Sequence, residues 1–176
     1  IELLNSQVER CNEILKRLTL NPVEEDEFID KDINIRDYLH EIISSFKEIS
    51  KKEFVFNFDQ DSNSKKITKS IELVYGLRNF IGNANKFAKN TIFINLKSDS
   101  EITEITVEDD GDGYPRDIIS KIGEPYLKSN YSKDKSKEGL GLGLFIGKTL
   151  LEKNFASVNC RNSKTRNGAE VVIRWK

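Results

Sequence analysis

The spacing of apolar residues along this chain changes several times, and each change marks an element. From Ile1 to about Leu20 the residues Leu4, Val8, Cys11, Leu15 and Leu18 recur at intervals of 4, 3, 4 and 3, the seam of a heptad. Glu2, Glu9, Arg10, Glu13, Lys16 and Arg17 lie largely off that seam, and Asn21-Pro22 ends the helix. A lone helix with such a stripe needs a partner. Glu24-Glu25-Asp26-Glu27 reads as a linker, which puts a boundary near Asp30 and divides the chain into residues 1–20, 21–30 and 31–176. Ile33-Asn34-Ile35 reads as a short strand, and Leu39, Ile42, Ile43, Phe46 and Ile49 fall at helical spacing within Asp37 to Ser50. Phe54 to Phe58 alternates as a strand does, and Asp59 to Lys66 is a polar loop. A long helix follows to about Ala88, with Thr68 as its expected N-cap and Ile71, Val74, Leu77, Ile81, Ala84 and Ala88 as its buried stripe. Ile92 to Lys97 and Ile102 to Glu108 are strands joined by a hairpin at Ser98-Asp99-Ser100. Pro115 opens a short helix around Asp117 to Ile122, and Lys128 to Lys137 is rich in lysine and serine and poor in apolar residues. A helix from about Leu142 to Asn154 and strands at Ser157 to Arg161 and Ala169 to Trp175 complete the pattern. Two hairpins without a strict βαβ rhythm predict an α+β fold, with helices on one face of the sheet.

Composition narrows the class. The chain has 176 residues, 32% charged and 37% hydrophobic, with a net charge of −1, which suits one globular domain plus one extra element. Near-neutral charge leaves no electrostatic footprint for nucleic acid. Two cysteines without CxxC spacing argue against a disulfide framework or a zinc site, so the expected setting is cytosolic and reduced. No apolar run reaches membrane-spanning length, and the N-terminus, which is not a signal peptide, starts in mid-pattern, as in a fragment of a longer protein.

Three polar segments carry candidate chemistry. Gly139-Leu140-Gly141-Leu142-Gly143 runs into a helix, so backbone N–H groups and the helix N-terminus could hold a phosphate, although helix-opening turns also use glycine. On the long helix Asn79, Asn83 and Lys86 share a face at spacings of 4 and 3. An amide carbonyl suits a hard cation and a lysine suits a phosphate; the alternative is a solvated polar face. Asp109-Asp110-Gly111-Asp112-Gly113 closes a strand. Its carboxylate could accept from an exocyclic amine such as that of adenine, or the segment is an ordinary strand-to-helix turn.

Taken in order, Asn79/Asn83/Lys86, Asp109-x-Gly-x-Gly, Glu124-Pro125-Tyr126 and Gly139-x-Gly-x-Gly resemble the N, G1, F and G2 boxes of the ATP-binding domain of bacterial sensor histidine kinases, a GHKL family. The resemblance covers about Ile33 to the C-terminus. It implies a two-layer α/β sandwich of the Bergerat type, with a mixed, mostly antiparallel sheet backed by helices and preceded by one dimerisation-bundle helix. It further implies ATP and Mg²⁺ as cofactors. Asn83 would hold Mg²⁺, with Asn79 and Lys86 near the phosphates, and Phe87 would also belong to the ATP site. Asp109 would bind the adenine amine, and Gly111 and Gly113 would shape the base pocket. Tyr126 would belong to the ATP site, and Lys128 to Lys137 would be the ATP lid, whose lysines Lys128, Lys133, Lys135 and Lys137 are otherwise a solvated charge run. Gly139 to Gly143, with Leu140 and Leu142, would wrap the phosphates.

Glu9-Arg10-Cys11-Asn12-Glu13-Ile14-Leu15, Gly123-Glu124-Pro125-Tyr126 and the stretch from Gly139 to Lys153 also resemble the RegB/PrrB/ActS group of redox-responsive kinases. In that likeness the first helix is the second helix of the dimerisation bundle, and Cys11 is a redox candidate; the alternative is a small core residue. Cys160, alternating with Val158, reads as core. The only histidine, His40, lacks the following Thr-Pro of the phospho-acceptor box and lies after the bundle helix, so it reads as an ordinary helix residue and no catalytic residue is assigned within the chain. The expected activity is transfer of the ATP γ-phosphoryl group to a histidine absent from this fragment, and thence to a response-regulator aspartate. Two alternatives are a catalytically silent nucleotide-binding regulatory module and an ATP hydrolase of the wider fold. The second is disfavoured because Asn79 stands where those enzymes carry a glutamate. The implied partners are a second copy in a homodimer and a response regulator. The implied location is a cytoplasmic domain of a bacterial parent anchored in the inner membrane through an absent N-terminal segment.

Overall fold

Alternation and helical periodicity are resolved into one layered unit in the computed structural model, which describes residues 34–60, 67, 70–126 and 142–176. Among the described residues three helices, α1 (Ile35–Lys47), α2 (Ile71–Phe87) and α3 (Gly143–Lys153), accompany five strands. The strands are β1 (Glu53–Gln60), β2 (Thr91–Ser98), β3 (Thr103–Asp109), β4 (Ser157–Asn162) and β5 (Ala169–Trp175), in the order β1-β2-β3-β5-β4. β1 and β2 are parallel, which requires a crossover, and α2 provides it; every other pair is antiparallel. The sheet is mixed and mostly antiparallel, as expected.

Period 2 puts Ile92, Ile94 and Leu96 of β2, Ile105 and Val107 of β3, and Val171, Ile173 and Trp175 of β5 on one buried face. The opposite face carries two charge pairs in register, Glu104 with Arg174 and Glu170 with Arg161, and Arg166 from the turn between β4 and β5 reaches Glu108, its guanidinium also lying 3.5 Å from the Phe93 ring centroid. On α2 the residues Val74, Leu77, Ile81, Ala84 and Ala88 are buried as the stripe predicts, and so are Leu73 and Phe80. The wider apolar face arises because α2 packs against both β3 and α3. Gly147 of α3 makes that helix contact close: a Cβ there would lie 2.9 Å from the Phe80 ring and 3.1 Å from Asn79 Cβ. At the far end, Asn154 Nδ2 donates to Ser70 Oγ (2.9 Å) and Trp175 Nε1 donates to the Asn154 carbonyl (3.0 Å), tying α3 to the start of α2 and the end of β5.

Several local expectations are corrected. Asn34-Ile35 is no strand: the Asn34 side chain accepts from Arg36 N–H as the N-cap of α1, and Ile35, Tyr38, Leu39, Ile42 and Ile43 form its buried stripe. That helix ends at Lys47, so Ile49 leaves the stripe and is 79% exposed. Ser70, not Thr68, caps α2, its side chain accepting from Leu73 N–H at 3.1 Å. The short helix after Pro115 is a single 3₁₀ turn, Ile119–Lys121. The first helix with its seam and Cys11, and the Lys128–Lys137 segment, lie outside the described residues.

Candidate functional site

The ends of β3 and β5 build the first part of the site. Asp109, the last residue of β3, is 2% exposed, and its Oδ1 accepts from Gly111 N–H at 2.8 Å and Ala169 N–H at 3.2 Å. Among the described residues no hydrogen bond reaches Oδ2. Burial pushes the Asp109 carboxyl above its ordinary range, opposed by the two backbone donors; the neighbouring Asp110 raises it further and Lys52 pulls it down. Two glycines make the enclosure tight. A Cβ on Gly111 would meet the Phe87 carbonyl oxygen at 2.5 Å, and a Cβ on Gly168 would fall inside the Asp109 carbonyl group. Gly113 has φ +75, and Tyr114 after it is clamped by Asn162, whose Oδ1 accepts from Tyr114 N–H (2.6 Å) while its Nδ2 donates to the Tyr114 carbonyl (3.0 Å).

Asp110 points the other way. Its carboxylate accepts from Lys89 N–H (2.7 Å) and Asn90 N–H (3.0 Å), which closes the turn between α2 and β2. Burial pushes that carboxyl up, but the donors of Asn90, Thr91 and Lys89 outweigh it and hold the group below its ordinary range.

The second part stands between α2 and α3. Asn79 and Asn83 are half-buried on one face of α2, one turn apart. Asn79 Nδ2 donates to the Tyr75 carbonyl at 2.8 Å, and its Oδ1 lies 3.6 Å from where a Cβ of Gly143 would stand. The N-terminus of α3 is thereby set against this face. Leu142 occupies the N-cap position with no side-chain cap, so the first-turn N–H groups of α3 are not satisfied by a capping side chain. Asn83 makes no side-chain hydrogen bond among the described residues. Lys86, exposed, has its ammonium 5.4 Å from the Phe87 ring, and the Phe87 carbonyl abuts Gly111, so the end of α2 touches the Asp109 loop.

Of the sequence-predicted residues, Asn79, Asn83, Lys86, Phe87, Asp109, Gly111, Gly113, Leu142 and Gly143 lie along α2, the loop after β3 and the start of α3. Tyr126 does not join them through any described contact: it is 69% exposed with φ 61. Lys128, Gly139, Leu140 and Gly141 lie outside the described residues. Asn85, close to Asn83 on the same helix, faces elsewhere and accepts from Ser50 Oγ at 2.7 Å. Sequence reasoning missed Gly168, Ala169 and Asn162, although Asn167-Gly168 is a recognisable turn pair between two strands. Cys160 is half-buried on β4, and burial pushes its thiol up to about 11, so it stays protonated at neutral pH. His40 is exposed on α1, with its ring edge-on to Phe56 at 4.8 Å. Among the described residues no helix is long and apolar enough to cross a membrane.

Comparison with known proteins agrees with this fold. Residues 68–176 match the sequence model of the family described as histidine kinase-, DNA gyrase B-, and HSP90-like ATPase. The sensor histidine kinase RegB of Cereibacter sphaeroides is 31% identical over 192 residues, covering 99% of this chain and 41% of RegB. The chain thus spans about two fifths of that relative's length. Among solved structures, the mycobacterial sensor histidine kinase MprB superposes with a TM-score of 0.65 at 17% identity, over 82% of this chain and 95% of that one. Full-length ShkA in complex with AMPPNP gives 0.62 at 22% identity, over 82% and 30%. At such identities the two structures speak for the fold.

Proposed function

The chain belongs to the histidine kinase-, DNA gyrase B- and HSP90-like ATPase family, and on that footing we propose that it contains the ATP-binding catalytic domain of a RegB-like two-component sensor histidine kinase. Residues 31–176 are the catalytic domain, residues 1–20 the second helix of a dimerisation bundle and residues 21–30 the linker. Asp109 accepts from the adenine amine through Oδ2, the oxygen that Gly111 and Ala169 leave open. Gly111 and Gly168 keep side chains out of the space beside it. Asn79 and the first turn of α3, with Gly139 to Gly143, hold the phosphates; Lys86 and Lys128 neutralise them. Asn83 offers an amide carbonyl to Mg²⁺. That donor set fits the ion, because Mg²⁺ commonly takes one or two protein oxygens and the rest from phosphate and water, and no cage of three or more His, Cys, Asp or Glu exists among the described residues.

Bound Mg-ATP supplies the γ-phosphoryl group for a histidine other than His40 and, through it, a response-regulator aspartate. The chain's own contribution is positioning and charge neutralisation, which dominate phosphoryl transfer. The parent protein acts as a homodimer, with this domain on the cytoplasmic side of a bacterial inner membrane, and Cys11 is its redox-responsive residue.

The observation that carries this reading is the Asp109 carboxylate, buried, fixed through one oxygen and open at the other. ATP titration with and without Mg²⁺ tests it: Mg²⁺-dependent binding that Asn83→Ala and Asp109→Ala weaken supports the site, and no binding by the wild type refutes it. Adding a separate histidine-bearing bundle then distinguishes kinase from silent module, since only a kinase places radiolabelled phosphate on it.

A further inference from the structure

The last turn of α2 is held by a side chain from outside the helix and outside all of the site motifs. Lys52, just before β1, reaches across with its ammonium to the carbonyls of Asn85, Lys86 (3.4 Å) and Ala88 (2.6 Å). A helix C-terminus leaves its last carbonyls without intrahelical partners, and a lysine is well suited to them by charge and hydrogen bonding. Here the lysine takes three of them. The Phe87 carbonyl, which it leaves, is the one that abuts Gly111. Ser50 extends the contact, its Oγ donating to Asn85 Oδ1 (2.7 Å) and accepting from Lys52 N–H (3.1 Å). From the other side, Asp110 holds Lys89 and Asn90 by their N–H groups. The turn at residues 85–90 is therefore gripped between Lys52 and the loop that carries Asp109.

We infer that Lys52 is a positioning residue for nucleotide binding, setting the end of α2, with Asn83 and Lys86, against the Asp109 loop. The inference rests on the nucleotide site proposed above. A second line of support is electrostatic, since the Lys52 charge favours the ionised form of Asp109. The other groups facing Asp109 are Asp110, which opposes ionisation, the buried Tyr114 phenol, and the backbone donors of Gly111 and Ala169. Removing the lysine charge raises the pH at which Asp109 takes up a proton and ceases to accept from an amine.

The test measures ATP affinity, with Mg²⁺, against pH for the whole 176-residue chain and four variants. Lys52→Met is expected to weaken binding about tenfold at neutral pH, the effect of losing hydrogen bonds to a charged group. Its acid limb is also expected to move up in pH. Lys52→Arg keeps charge and donors, so its affinity stays within about threefold and its limb does not move. Lys52→Gln keeps donors without charge; it shifts the limb while losing less affinity, and it serves where Lys52→Met does not fold. Ile173→Val, a buried change remote from the turn, lowers the melting temperature without moving affinity or limb. Folded Lys52→Met or Lys52→Gln protein with wild-type affinity and an unmoved limb overturns the inference. Failure of the wild type to bind ATP overturns the nucleotide site itself, and the inference with it.

Discussion

The two ends of the candidate site are built from different materials. At the base end everything hangs on strand termini. Asp109 closes β3, Ala169 opens β5 beside it, and Asn162 closes β4 and clamps Tyr114. Sheet register sets these positions before any ligand arrives, and Asp109 is 2% exposed. At the other end the groups are half-buried amides on the surface of α2 and the uncapped start of α3. The base end is thus part of the core, and its residues serve stability and recognition together. The phosphate end is a set of polar groups waiting for a partner, and its residues should be replaceable at little cost to the fold.

The largest expected effect breaks the base end. Asp109→Ala removes the acceptor and should weaken ATP binding about 100-fold, near the upper range for a hydrogen bond to a charged group. Calorimetric titration checks it, and a change below about fivefold would remove Asp109 from base recognition. Gly168→Ala comes next, because its methyl group would fall inside the Asp109 carbonyl and force the start of β5 away. About 3 kcal/mol of stability should go with it, lowering the melting temperature by roughly 6–12 °C. Affinity should fall about 30-fold as Asp109 loses its frame.

Asn83→Ala sharpens the contrast from the phosphate side. Affinity should fall about tenfold with Mg²⁺ and hardly at all with chelator, while the melting temperature stays within about 2 °C. Acid separates recognition from stability at the base end. Because the Asp109 carboxyl lies above its unfolded value, its ionised form costs the free fold stability at high pH, and that cost is relieved as pH falls through the raised pKa. Nucleotide affinity moves the opposite way, losing up to about tenfold per pH unit below that pKa as the acceptor is protonated. Asp110, held below its ordinary range, contributes stability above its unfolded pKa and loses it only as pH falls through its lowered one. Melting and titration curves measured over the same pH series should therefore diverge, and parallel curves would deny Asp109 its role.

The same division explains what could be read before the fold was known. β2, β3 and β5 were legible because each has one buried face, so alternation at Ile92, Ile94 and Leu96 reports burial directly. Helix starts were less legible: Thr68 and Ser70 are chemically equivalent caps, and only the bond to Leu73 N–H decides between them. Asn34-Ile35 misled because two β-branched residues flank an asparagine, while the burial of Tyr38 and Leu39 behind them makes a helix. Asn79, Asn83 and Asp109 stood out in the sequence as candidate chemistry. Gly168, Ala169 and Lys52 did not: the first two meet Asp109 through backbone atoms more than fifty residues away in sequence, Lys52 reaches backbone carbonyls more than thirty residues on, and no local pattern encodes such contacts.

The smallest expected effect lies at the rim of the base end, on the ion pair between Lys89 and Asp112. The two groups stand 2.6 Å apart, but their side chains are 59% and 66% exposed. Water and salt screen such a pair, and holding two mobile side chains together offsets most of its attraction. What holds this turn is the backbone of Lys89, whose N–H reaches the Asp110 carboxylate at 2.7 Å. Lys89→Ala keeps that N–H and should change ATP affinity by less than about twofold at physiological salt. Lys89→Pro removes the N–H and should approach the loss expected for Gly168→Ala, since Asp110 then gives up one of the donors that fasten α2 to the base end. If the alanine variant lost affinity as heavily as the proline variant, the side-chain charge would be acting on the nucleotide, and the base end would extend outward to its exposed rim.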